Sequence, residues 1–106
     1  VDVISIDVGW TRQAKILPVA RTLLRPPVAP GTSPVGTILT LIKPHYESDI
    51  APTQGGVLEP EQSIAVLNTV AEQIEHMGFR IDGIVQSPIA GQKGNTEFVA
   101  VLRPTA

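Results

Sequence analysis

The chain has 106 residues, 42% of them hydrophobic, and a formal net charge of −2. That is enough for one small domain, and too little positive charge to make the whole surface a trap for nucleic acid. With no cysteine, a disulfide framework and thiolate metal ligation are excluded, and the composition fits a reducing, cytoplasmic setting.

The opening residues 1–7 are apolar and β-branched with Asp2, Ser5 and Asp7 interspersed, and they read as a buried strand. They contain neither an initiator Met nor the basic start of a signal peptide, so the chain is expected to be part of a longer one. Thr11 is the expected cap of a helix reaching about Leu24, with Ile16, Leu17, Ala20, Leu23 and Leu24 on one face. Pro18 falls inside that stretch, which implies an irregular first turn or a later start. Residues 25–36, with Pro26, Pro27, Pro30, Pro34, Gly31 and Gly36, read as a long surface loop. A second strand over 37–42, apolar on both faces, ends at Lys43-Pro44.

A loop with the flexible pair Gly55-Gly56 leads to Pro60, which suits the first position of a helix. Ile64, Leu67, Val70, Ala71 and Ile74 follow at helical spacing, and Gly78 is the natural stop. Residues 79–87 form a third strand, 88–95 a short connection with Gly91 and Gly94, and 96–103 a fourth strand. The order β-α-β-α-β-β implies an α/β fold, the C-terminal half of a Rossmann-like doubly wound sheet. Its helix-linked strands should be parallel and its last strand antiparallel. No run reaches the roughly 20 apolar residues that span a bilayer, and two histidines without a spaced carboxylate pair give no metal site.

Ligands of open α/β sheets bind beyond the carboxyl ends of the parallel strands. Asp7 and Lys43 end the first two strands, and Glu97 begins a reversed last strand, so all three fall on that rim. Singly, Asp7 reads as a cap or turn residue, Lys43 as a strand end and Glu97 as a solvated position. Their convergence in neighbouring strands, about 4.8 Å apart, is what points to chemistry.

The segments Ile42-Lys43-Pro44-His45-Tyr46-Glu47, Gly55-Gly56-Val57 and Ser87-Pro88-Ile89-x-Gly91-x-x-Gly94-Asn95-x-Glu97-Phe98 resemble the FtsJ-like RNA methyltransferase superfamily, in its TlyA or hemolysin A branch. The resemblance runs from Val1 to Arg103. It implies that residues 1–106 form the C-terminal part of a class I methyltransferase domain. The enzyme would use S-adenosyl-L-methionine to methylate the 2′-hydroxyl of ribosomal RNA. By position, Asp7, Lys43 and Glu97 match three members of the family's Lys-Asp-Lys-Glu catalytic set. The first lysine, the glycine-rich loop, the ribose-binding acid and the S4-type RNA-binding domain of that family are not in this sequence. Asp7, Val8 and Trp10 fall to the cofactor side, and His45 and Tyr46 to the RNA side. Val8-Gly9-Trp10-Thr11 departs from the family's Leu-Ser-Phe-Ile, and 25–36 looks like an insertion.

A lysine between carboxylates suits this chemistry because desolvation and neighbouring acids tune its proton affinity in opposite directions. It can accept the hydroxyl proton if neutral or orient the oxygen if charged. Trp10 could stack on a base or the cofactor, or simply lid the sheet. Two other readings stand beside this one. Asp7-Val8-Gly9-Trp10 faintly matches the motif of base N-methyltransferases. Alternatively, the chain is a non-catalytic half-domain or RNA-binding module. Without a complete cofactor pocket it is expected to be inactive alone, and its free first strand invites pairing with a second copy.

Overall fold

The computed structural model describes residues 1–9, 11–47, 58–89 and 94–106. Four strands form one sheet: β1 (Val3–Ile6), β2 (Thr37–Ile42), β3 (Phe79–Gln86) and β4 (Phe98–Pro104). Their spatial order is β1-β2-β4-β3. β1 runs parallel to β2, and β4 is antiparallel to both its neighbours. The last strand is thus antiparallel to its predecessor, as the short connection before it implies, and it inserts between the second and third strands.

Two long helices, α1 (Gln13–Leu23) and α3 (Pro60–His76), flank the one-turn α2 (Pro44–Glu47). Leu17, Ala20, Leu67, Val70 and Ile74 of the long helices meet Ile38, Ile42, Phe98, Ala100 and Leu102 of the sheet in one core. Each fully buried aliphatic side chain there contributes about 1.5–3 kcal/mol. Both long helices therefore cover the same face of the sheet. On the other face Val3 and Val85 are 62% and 65% exposed. The first strand, expected to be buried, has only Ile6 in the core. Among the described residues nothing covers its second face or pairs with its outer edge.

Local chemistry sets the helix ends. Pro60 starts α3, the Glu59 amide donates to Gln62 Oε1 at 3.1 Å, and Gly78 follows the helix at φ 92°. That backbone geometry favours glycine, because a Cβ there is strained. α1 runs through Pro18, which forfeits one intrahelical bond. Its buried side at Leu17 and Ala20 keeps the helix in place regardless. Thr11 does not cap it: the N-cap is Arg12, and the Thr11 hydroxyl donates instead to Gly9 O at 3.4 Å. No described helix is long and apolar enough to cross a membrane.

Candidate active-site rim

The register of the sheet decides what meets at its upper edge. Ile42 pairs with Phe98, so one step further Lys43 stands opposite Glu97. On the other side of β4, Gln86 pairs with Phe98, and the next amide, that of Ser87, donates to Glu97 O at 2.8 Å. Side chains alternate along strands. Lys43 and Glu97 therefore lie on the face of Leu41 and Val99, away from the long helices. Lys43 Nζ donates to Asp7 Oδ1 at 2.8 Å. The lysine side chain is 17% exposed and the aspartate 71%. Glu97 is buried. The rim thus brings Asp7 and Lys43 into contact, whereas Glu97 faces Lys43 one step beyond the last paired residues with no ion pair between their side chains.

Beneath the rim lies a polar network that the sequence reading does not assign. Gln13, at the start of α1, is 2% exposed, and Thr40 is fully buried. Thr40 Oγ1 donates to Gln13 Oε1 at 2.8 Å, and Gln13 Nε2 donates to Leu41 O at 3.2 Å. The Gln13 backbone N–H donates to Glu47 Oε1 at 2.7 Å. Glu47 therefore supplies the N-terminal cap that α1 lacks from its own residues. Burial pushes the Glu47 carboxyl above the usual glutamate range, opposed by the Gln13 amide and the Arg12 charge. Both residues could have been suspected: Glu47 from the motif after Lys43, Gln13 from a polar residue on the apolar side of a helix.

His45 and Tyr46 share the turn after Lys43, their ring centroids 4.3 Å apart. Burial and, after it, the Lys43 charge depress the imidazole's proton affinity. Its Nδ1 is buried with no hydrogen-bond partner among the described residues. Tyr46 lies about 4 Å from where a Cβ on Gly9 would sit. Val8 is partly buried, packs against the core and lines a surface cavity together with Asp7 and Ile6. Trp10 and Gly55-Gly56-Val57 lie outside the described residues. Asn95, buried, accepts from the Leu58 amide at 2.9 Å and ties the entry of α3 to the connection before β4. No group of three or more His, Asp or Glu with metal-binding geometry occurs among the described residues.

No protein-family model matches this chain. Over 100 residues it is 33% identical to a Bacillus subtilis (strain 168) protein named "Putative rRNA methyltransferase YqxC", covering 92% of this chain and 33% of that one. Its fold matches "Putative hemolysin from Streptococcus thermophilus" at a TM-score of 0.79 and 29% identity, over 98% of this chain and 35% of the other. A second match is a solved structure titled as a putative hemolysin from Lactococcus lactis, with TM-score 0.76 and 27% identity, over 95% and 45%. The chain is similar to these proteins in sequence and fold. It spans about a third of the length of the curated relative.

Proposed function

We propose that this chain is the C-terminal, rim-bearing part of an S-adenosylmethionine-dependent RNA methyltransferase that acts on a ribose 2′-hydroxyl. The observation that carries the reading is the Lys43–Asp7 contact at 2.8 Å, with Glu97 in the facing register position. The likeness to a protein named as an rRNA methyltransferase supports it.

S-adenosylmethionine supplies an electrophilic methyl group. The described residues fit the edge of such a site: Asp7 presents an exposed carboxylate at the end of β1, where ligands of α/β sheets lie. Asp7 and the backbone of Val8, with Trp10 beyond, would line the cofactor side. A ribose hydroxyl is a weak nucleophile and must shed its proton as the new bond forms. Lys43 is the group placed to hold that oxygen as an ammonium, or to receive that proton once it has itself been deprotonated. Asp7 fixes the ammonium by a charge-assisted bond. Glu97 would complete the charge network from the facing strand. Holding the acceptor in line supplies the larger share of the rate. His45 and Tyr46, on the turn that follows, would meet the RNA.

A base N-methyltransferase gives Lys43 and Glu97 no task, which disfavours it. The test is methyl transfer by the full-length protein to ribosomal RNA, followed by nuclease digestion and mass spectrometry. A 2′-O-methylnucleoside, lost in Lys43→Ala while cofactor binding persists, is expected. A base-methylated product, or full turnover in Lys43→Ala, overturns the reading.

A further inference from the structure

Lys43 is fixed by more than its strand. The backbone just before it is tied to α1 by Gln13, whose side chain bonds Thr40 and Leu41. The backbone just after it is tied to the same residue by Glu47, which accepts the Gln13 amide. Gln13 therefore grips β2 and α2 on either side of Lys43. The segment from Asp7 to Gln13 ends at the same anchor, so both members of the Lys43–Asp7 contact are referred to one point.

We propose that Glu47 is a positioning residue: by capping α1 from α2, it closes a bracket around Lys43 and sets its approach to Asp7 and the reacting hydroxyl. The assignment rests on the methyl-transfer reading for its kinetic consequence, not for its geometry. Desolvation makes the charged form of the Glu47 carboxylate costly at this place. A neutral amide could accept the same bond. What the position requires is an acceptor oxygen at the right height above the first turn of α1. Glu47 is two residues from His45 and four from Lys43, on a single turn, so movement of that turn displaces all three together.

The geometry makes the conservative and the truncating variants behave differently. Glu47→Gln keeps an oxygen for the Gln13 amide; Glu47→Ala opens the bracket. Misplacement of a reacting group by about 1 Å can cost on the order of 100-fold in rate. In the full-length enzyme, Glu47→Ala should lower kcat by roughly 10- to 100-fold with little change in KM, and Glu47→Gln should restore it. An unchanged kcat in the folded Glu47→Ala protein overturns the proposal. So does a Glu47→Gln protein as impaired as Glu47→Ala, because that would make the charge itself the requirement.

A second measurement is independent of methyl transfer. In this chain, NMR resonances of the Gln13 amide and of the Lys43 side-chain terminus should both move in Glu47→Ala and both return in Glu47→Gln. If the Gln13 amide moves and Lys43 does not, Glu47 is a helix cap only and the positioning role is lost. If both move while the wild-type enzyme shows no methyl transfer, the bracket stands and the proposed function falls.

Discussion

Lys43 reaches back two residues to meet Asp7. The parallel register pairs Ile6 with Thr40, so the extension of β1 brings Asp7 level with Leu41 rather than with Lys43. The 2.8 Å bond between them is made by the length of the lysine stem. Side chains two apart share a face, so the stem lies along Leu41 and its ammonium arrives over the end of β1. This leaves the lysine mostly covered while its partner stays in water, 17% against 71% exposed.

Such a pair should contribute little to folding. An ion pair with one partner in solvent is worth about 0–1 kcal/mol. Asp7→Asn is expected to lower the unfolding free energy measured in urea by no more than that, while on the methyl-transfer reading it removes the charge that holds the Lys43 ammonium and lowers turnover of the full-length protein. A loss of several kcal/mol in Asp7→Asn would show that the contact is structural, and any effect on turnover would then follow from unfolding.

The network under the rim behaves oppositely. Gln13→Ala leaves the fully buried Thr40 hydroxyl and the Leu41 carbonyl without the partner seen here. Buried groups left unpaired cost about 1–3 kcal/mol each. Thr40→Val keeps the shape and removes one donor, so it should cost less than Gln13→Ala. Urea denaturation of the two variants checks the order. Equal stabilities would mean that water replaces the glutamine without penalty.

His45 makes stability depend on pH near neutrality. Its imidazole has a lower proton affinity in the folded chain than its ordinary value of about 6.5. The unfolded chain therefore binds more protons in this window. The stability contribution is complete above the unfolded value and is lost as pH falls from it through the lower folded one. Thermal midpoints measured from pH 7.5 down to pH 5.5, roughly one unit either side of that value, should drop more steeply for wild type than for His45→Gln. Parallel curves would mean that the imidazole is equally protonated in both states. Glu47 acts with the reverse sign: its raised folded value favours the fold on acidification, in the glutamate range.

What could be read from the sequence was whatever short-range rules decide. β2 occupies 37–42 as expected because a glycine precedes it and Lys43-Pro44 stops it. α3 starts at Pro60 and gives way to Gly78 for similarly local reasons. The reversal of β4 followed from the shortness of the connection before it, and the rim followed from the reversal. The cap of α1 was not legible. Thr11 satisfies the local rule, yet the acceptor comes from Glu47, 34 residues away. The exposure of β1 was hidden too, since an apolar strand looks alike whether or not something covers its second face. The irregularity of β3 left one signal, Gly83 inside the strand and next to the extra residue, where an interior glycine often marks a bulge.

That bulge supplies the last prediction. Between the pairs Ile81–Leu102 and Gly83–Val101 the register slips by one, and Asp82 is the extra residue. One step earlier Arg80 and Arg103 face each other directly. Like charges in that arrangement repel. The bulge turns the Asp82 carboxylate between them, where it accepts from Arg80 Nε and Arg103 Nε at 2.7 Å each. The Arg80 bond, aided by Arg103 and the two positive charges, holds Asp82 below the usual aspartate range. In Asp82→Asn the arginines are left opposed, so the thermal midpoint should fall. Because the cluster is solvent-facing, the difference from wild type should shrink as salt rises from low ionic strength to about 1 M, where the screening length is about 3 Å. Arg103→Gln in the same background relieves the repulsion and should recover part of the loss. A salt-independent deficit would instead assign the effect of Asp82 to the backbone of the bulge rather than to its charge.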